Sequence, residues 1–476
     1  MKNAHARYLL HELLTEDFSC FVRWCFQELC PGQDYYHGWH LDALHWRLAQ
    51  AGKGHIRRLI VNQPPRSLKS VSASVALPAW LHGLDPKRRI VCVSYSDELA
   101  RKNARDYRSI VQSAWYRREF PQMRISKSKN TETEVVTTQH GFRLATSISG
   151  TLTGRGGDII IIDDPIKPAE AMSDAERRRV NEWYDTTLLS RLDDPRTGVI
   201  LLVMQRLHED DLTGHLLRKG GFEHLRLPAI ADQDLEIPVG PDSVHLFRVG
   251  EALHPERADL VELEKTRKAM GSLVFSAQFL QAPIPIEGNL VQRAWLRHYA
   301  QPRSRDSFIK IVQSWDAASK TSSEADWSVC TTWGTTQNEA WLLDRIRGRW
   351  EYPELLRQCR AQADIHRPHA ILIEDSSNGA ALIQTLFQET ALPVIAVKPK
   401  LDKETRVTQI SHLFESGRVH FPESASWLAE FEEELLGFPN ARYNDQVDSV
   451  VQFLLWFADQ SRRPRVSLHP PIIIRA

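Results

Sequence analysis

The stretch "RLIVNQPPRSLKSVSASV", residues 58–75, reads as a strand, a turn and a helix. Lys69-Ser70 falls where a phosphate-binding loop of pattern G-x-x-x-x-G-K-[ST] keeps its last two residues. Gln63 and Leu68 stand at the two glycine positions. Pro64 and Pro65 stiffen the turn and remove two N–H donors, while Arg66 adds positive charge. In the nucleotide reading, Arg66, Ser67, Leu68, Lys69 and Ser70 curl around phosphate. Lys69 then reaches the β/γ-phosphates and Ser70 meets Mg2+. Taken alone, the same letters describe a basic surface turn.

A second stretch decides between the two. "GDIIIIDDP" (157–165) ends a buried strand on two carboxylates. Asp163 suits an Mg2+ held through water, and Asp164 suits an acid that polarises the attacking water. An Asp-Asp-Pro turn would explain either residue singly. Strand, Lys-Ser turn and acidic strand in this order predict an ATP site. "VILLVMQRLHEDDL" follows as another buried strand, with Gln205 and Arg206 as candidates to sense the γ-phosphate. The glycine-rich "SGTLTGRGGD" (149–158) carries Arg155. It reads either as a surface loop or as a loop offering an arginine to a neighbouring subunit's phosphate.

The 476 residues allow two to four domains at roughly 100–200 residues each. A hydrophobic share of 42% and a charged share of 25% are those of a soluble globular protein. No apolar run reaches the roughly 18–20 residues that span a bilayer, and the N-terminus lacks a signal-peptide core. No membrane partner is expected. The six cysteines lack metal-ligand spacing and suggest no disulfide framework, so a reducing cytoplasm fits. With 60 basic and 60 acidic residues, any nucleic-acid binding must come from local patches, such as Arg177–Arg179 or Arg345/Arg347/Arg349. Each patch alone reads as solvated surface.

The stretch "QAPIPIEGNLVQRAW" (281–295) divides two patterns. Before it, the apolar strands 58–62, 89–95, 158–163 and 198–205 alternate with helices, and residues 131–148 read as a hairpin turning near Gln139–Gly141. After it come three successive strands, "SFIKIVQSWDAA", "SVCTTWGTT" and "EAWLLDRIRGR", then a helix at 352–366 and strand 370–375. Helix 379–389, strand 393–399 and helical segments to about 460 complete the order. The fold class is therefore α/β, a mainly parallel sheet followed by a mixed one. The expected division is a helical segment 1–34, a first domain 35–282, a linker 283–305, a second domain 306–462 and a tail 463–476.

The second part carries acids at element ends. Asp316 ends its first strand, and Glu374 and Asp375 end its fourth. The last two alternate faces, so only one of them can share a side with Asp316. In "YNDQVDSVVQFLLWF", Asp445 and Asp448 lie at i and i+3 on one helical face. Asp326 is a weaker candidate in the loop after Asp316. Each acid singly is by default a solvated surface group. Converged, they repel one another unless cations neutralise them, and hard oxygen ligands suit Mg2+ or Mn2+. Two such ions clamp the attacking and leaving oxygens of a phosphodiester, which suggests an RNase H-like nuclease.

The chain at this point resembles the large terminase subunits of tailed bacteriophages. The segments that carry the resemblance are "NQPPRSLKS", "YSDELARKNAR", "GTLTGRGGDIIIIDDPIK", "QRLHEDDL", "SWDAASK", "ILIEDSSNGAALIQ", "KETRV", "FESGRVHFP" and "NDQVDS". It implies a P-loop ATPase of the ASCE type joined to an RNase H-like nuclease. Together they would pump double-stranded DNA through a portal into a procapsid and cut the concatemer. It implies Arg66, Lys69 and Ser70 as phosphate-loop residues, Asp163 as the Mg2+ acid, Asp164 as the catalytic acid and Arg155 in the segment of a trans-acting arginine. Asp316, Glu374 and Asp445 fall at metal-ligand positions, with Asp448 accessory, and residues Tyr36–His40 where adenine is often met. The implied partners are DNA, the portal, a small terminase subunit and further copies in a ring on the procapsid, in the host cytoplasm. Leu68, Asp164 and Gln205 depart from the commonest family residues, Gly, Glu and Thr. The competing readings are a helicase-like DNA-processing ATPase with a nuclease, which would need a second ATPase-type domain, and a virion scaffold, which leaves both acid sets unexplained.

Overall fold

The computed structural model describes residues 2–150, 154–284, 290–301, 303–317, 327–399, 401–441 and 443–462. The chain forms two compact units, 1–285 and 286–476. In the first, the strands are β1 (Arg58–Asn62), β2 (Arg89–Ser94), β3 (Ile125–Asn130), β4 (Glu134–Thr137), β5 (Phe142–Ser147), β6 (Ile159–Asp163), β7 (Val199–Met204) and β8 (Glu223–Arg226). They pair in the order β3-β4-β5-β2-β6-β7-β1-β8. β5, β2, β6, β7, β1 and β8 run parallel; β3 and β4 are antiparallel additions. The central strands are buried along their whole length because both sheet faces are covered. A separate hairpin pairs β9 (Leu235–Pro238) with β10 (Val244–Phe247).

Helix Phe18–Leu29 is capped by the Asp17 carboxylate, which accepts from the N–H groups of Ser19 and Cys20. It buries Phe18, Phe21, Val22 and Cys25 in the cluster that holds Trp80, Tyr116 and Phe120. The Phe18 and Trp80 rings lie 5.1 Å apart. Helix Phe18–Leu29 is thus part of the first unit's core. The expected hairpin is present as β4 and β5. At its turn His140 has φ 68°, and a Cβ on Gly141 would stand 2.1 Å from the Pro86 carbonyl oxygen, so the turn admits only glycine there.

The second unit contains β11 (Arg297–Tyr299), β12 (Lys310–Asp316), β13 (Ser328–Thr335), β14 (Ala340–Gly348), β15 (Ala370–Glu374), β16 (Val394–Val397) and β17 (Val419–Pro422). Their order is β11-β17-β14-β13-β12-β15-β16. β12, β13 and β14 form an antiparallel meander, and β15 runs parallel to β12. One register row joins Asp316 to Val329 and Val329 to Arg347. Helix Asp445–Arg462 lies on β12 and β13. The Ser449 hydroxyl donates to the Ser314 carbonyl (2.8 Å) and meets the Thr331 hydroxyl (2.7 Å), while the Gln452 amide donates to the Ser314 hydroxyl (2.9 Å). Phe453 stacks on Trp333 with centroids 4.5 Å apart. These contacts carry the start of the helix, with Asp445 and Asp448, to the end of β12 where Asp316 sits. β17 lies where the sequence suggests only helix, because four residues between helical segments are too few to mark a strand. Asp326 and the tail 463–476 lie outside the described residues.

Candidate functional site

The parallel order β6-β7-β1 brings three strand ends together: Asp163 and Asp164 from β6, Gln205 after β7, and the 63–70 turn after β1. A crevice at the carboxyl ends of parallel strands is where such sheets bind ligands. Here it is a cavity of about 560 Å³, lined by residues 65–71, Asp164 and Gln205 on one side and by Tyr36, His40, His254 and Arg257 on the other. The turn bends through the left-handed region at Arg66 (φ 60°) and Leu68 (φ 61°). That conformation is the one glycines adopt without strain, and two non-glycine residues supply it here. The Ser67 hydroxyl ties the turn to the Pro64 carbonyl at 2.6 Å. The following helix, wound as a π-helix over Val71–Ala76, opens at Lys69-Ser70 toward the cavity.

Asp163 is fully buried and is held by three donors: Ser70 Oγ (2.9 Å), Ser74 Oγ (2.9 Å) and Asn103 Nδ2 (3.2 Å). Burial, reinforced by the neighbouring Asp164, pushes its carboxyl up to about 6. Lys69 Nζ lies 3.4 Å from Asp164 Oδ2. Asp164 also accepts from the Gln205 N–H at 3.3 Å, at a backbone φ of 44°. A buried ammonium and a half-buried acid thus neutralise each other where phosphate and water would otherwise meet them. Gln205 Oε1 and His40 Nδ1 are buried at the cavity without a hydrogen-bond partner. Burial, with His254 beside it, pushes His40 down to about 3, so its ring is neutral at pH 7. Unpaired buried polar atoms beside a Lys-Ser turn and an acid pair fit a polar, phosphate-bearing ligand with Mg2+.

Two candidates stand apart from this centre. Arg206 is locked by the buried Asp211 carboxylate (3.0 Å) and by the carbonyls of His208 and Glu209 (3.2 and 3.3 Å), so it braces the loop after β7. Arg155 forms a two-pronged pair with Glu134 at 2.6 and 3.0 Å, away from its own chain's Lys69 turn. Sequence reasoning does not single out Ser74, Asn103, His254 or Arg257. Ser74 lies one helical turn beyond Ser70, a spacing that could have revealed it, and Asn103 sits within the quoted "YSDELARKNAR". Nothing local marks His254 and Arg257, which reach the cavity from a distant loop.

In the second unit, Glu374 continues the β15 row beside Asp316, and the two acids share a side of the sheet. Asp375 instead pairs with Lys398 at 3.2 Å. Burial pushes the Asp316 carboxyl well up, and Asp448, Glu374 and Asp445, in that order, push it further. Glu374 and Asp448 are also raised, chiefly by burial. Lys403 Nζ bridges Asp448 Oδ2 (2.5 Å) and Asn444 Oδ1 (2.7 Å), and Arg406 spans Asp448 (3.1 Å) and Glu374 (3.6 Å). Among the described residues, no three His, Cys, Asp or Glu side chains stand ready as a metal cage. The two basic side chains neutralise the acids instead. The carboxylate donors fit hard divalent ions in kind.

Residues 313–456 match the family of the terminase RNaseH-like domain. Comparison with curated protein sequences finds no match. Among solved structures, the large terminase of a thermophilic bacteriophage is similar at a TM-score of 0.56 and 11% identity, over 89% of this chain and 100% of that one. The same phage protein in complex with ATP-gamma-S aligns at 0.52 and 11% identity, over 88% and 98%. At such identity the likeness is one of fold, and it extends over both units. Residues 313–456 match the terminase RNaseH-like domain, and the fold of the chain is similar to that of a phage large terminase.

Proposed function

We propose that the chain is the ATP-driven motor that moves double-stranded DNA through the portal into a procapsid and cuts the concatemer with a divalent-metal endonuclease. Its partners would be DNA, the portal, a small terminase subunit and further copies in a ring, in the host cytoplasm and transiently on the procapsid. The observation that carries this is the pairing, within one chain, of the Lys69–Asp163–Asp164 centre with the Asp316–Glu374–Asp448 centre. A second ATPase-type unit, which the helicase-like reading needs, is replaced by the acidic one.

In the first centre, Mg2+ supplies charge neutralisation to the phosphates when bound. Ser70 and Asp163, already joined at 2.9 Å, would hold it. Lys69 exchanges Asp164 for the β/γ-phosphates, and Asp164, so released, accepts a proton from the attacking water. Gln205, whose N–H holds Asp164, couples that acid to the end of β7. Arg155 would act only on a neighbour's nucleotide, after leaving Glu134. In the second centre, Asp316, Glu374 and Asp445 would hold Mg2+ or Mn2+, with Asp448 accessory; divalent ions held there, two of them in this reading, would supply Lewis-acid charge to the attacking water and to the leaving oxygen.

Lys69→Ala should abolish ATP hydrolysis and leave metal-dependent cutting, and Asp316→Ala should do the reverse. Unchanged cutting by Asp316→Ala would sink the nuclease assignment. Strand separation without DNA uptake by purified procapsids would favour the helicase-like reading.

A further inference from the structure

We propose that Arg345, Arg347 and Arg349 are a track for the backbone of duplex DNA beside the acidic centre, with Glu430 holding the first two where phosphate would bind. The proposal rests on the nuclease reading of the Asp316 centre and adds to it how the substrate is held. Three arginines at every second position of β14 and its continuation project to one face. Arg347 shares the register row of Val329 and Asp316, two strands from the acid. At about 4.8 Å per strand this is roughly 10 Å, the axial rise of about three nucleotides. Arg345 Nε donates to Gln446 Oε1, and Gln446 adjoins Asp445, which ties the track to the acidic centre a second time.

The pairing of these arginines is lopsided. The Arg345 and Arg347 side chains are 9% and 4% exposed, whereas Glu430 is 57% exposed. Its two carboxylate oxygens accept separately from Arg345 Nη2 (2.7 Å) and Arg347 Nη1, as two oxygens of one phosphate would. The buried counter-ion is a different acid. Glu434 lies 3.4 Å from Arg347 and is fixed by the Gln446 backbone and side-chain amides, both at 2.7 Å. Glu430 is therefore the dispensable partner, because an exposed acid on a rim adds little to stability. Arg347 and Arg349 lie over the Trp327 ring at 4.6 and 4.2 Å, and Arg347 also faces Tyr443 at 5.3 Å. The aromatic contacts fix the guanidinium planes without using their N–H groups. Arg347 Nε and Arg349 Nε have no hydrogen-bond partner, and among the described residues no carboxylate pairs with Arg349. Three guanidinium groups facing one buried and one removable acid make a site for a polyanion that runs past several phosphates.

The test uses the full chain in two assays: duplex binding by fluorescence anisotropy in EDTA, and nicking of supercoiled plasmid in Mn2+. Glu430→Gln should bind duplex roughly two- to fivefold more tightly and cut correspondingly faster at subsaturating DNA. Arg347→Gln should weaken binding and flatten its log–log salt dependence by about one unit. In an Arg345→Gln/Arg347→Gln background, Glu430→Gln should change nothing. Unchanged binding by Glu430→Gln in the wild-type background overturns the proposal, as does a gain that survives loss of both arginines. If an arginine variant fails to fold, Glu430→Gln decides alone. If the wild type binds DNA but never cuts, the nuclease reading falls, and the anisotropy comparison still decides the track.

Discussion

Leu68 adopts φ 61° at the position where a phosphate-binding loop commonly has glycine, and Arg66 adopts φ 60° two residues earlier. An L-residue there bears a strain of roughly 1–2 kcal/mol. Leu68 offsets part of it by packing its side chain against the first unit's core. A β-branched residue cannot make that exchange, because its second branch meets the backbone. Leu68→Ile should therefore lower the first unit's stability by about 1–2 kcal/mol and weaken nucleotide binding, whereas Leu68→Gly should keep nucleotide binding. Calorimetric melting and ADP titration check both. The residue pattern alone leaves this loop undecided, since missing glycines look like a missing loop. What the backbone needs is the left-handed conformation, which glycine supplies most easily but not alone. Asp164, at φ 44°, is a residue that tolerates that region, and its place beside Lys69 is legible from element order alone. Asp164→Asn should lower ATP turnover by about 10²–10⁴ while ATP still binds, if it is the group that takes water's proton; equal losses in binding and turnover would argue against that role.

The elements most legible in sequence are those buried on both faces. β1, β6 and β7 read directly as apolar runs, and their adjacency in the sheet assembles the first centre. The elements that escape are edge strands and distant loops. β3, "ISKSKN", is a polar edge strand whose exposed Lys127 discourages further pairing, so it has no apolar pattern. Helix Asp97–Gln112 is legible from its Ser96 cap, but its use is not: Asn103 reaches from it to Asp163. This helix, β6 and the Ser70 helix together desolvate Asp163, and the sign of the consequence follows. The folded carboxyl titrates at about 6, above its unfolded value of 3.8. Between these values the folded state keeps a proton that the unfolded chain has released, so nucleotide-free stability falls as pH rises through the window. Asp163→Asn should flatten that fall and make the nucleotide-free first unit more stable at pH 7. A melting series from pH 4 to 7 measures it, and an unaltered slope in the variant would show that other groups set it.

Formal charge balances at 60 basic and 60 acidic residues, so neither proposed activity can lean on a global field, and each centre must be charged locally. The two units solve the same problem in the same way. Each gathers acids that need a cation and, in its absence, neutralises them with its own lysine or arginine: Lys69 in the first, Lys403 and Arg406 in the second. Ligand binding is then an exchange of cations, and it should stabilise the unit that holds the exchanging side chain. Mg2+–ATP should raise the melting of the first unit, and Mn2+ alone that of the second, each by about 2.7 kcal/mol at a hundred times its dissociation constant. Lys69→Ala should remove the first shift and spare the second; Asp316→Asn should do the opposite. The sign at Asp316 gives a sharper check. Its folded carboxyl titrates well above 3.8, so the metal-free second unit loses stability as pH rises through that interval. The Mn2+ shift should accordingly grow with pH, because the ion relieves a repulsion that deepens as the acids ionise. In Asp316→Asn the metal-free unit should be more stable than wild type and its Mn2+ shift should vanish. A variant less stable than wild type without metal would mean that Lys403 and Arg406 neutralise the acids so fully that repulsion is no longer what metal binding relieves.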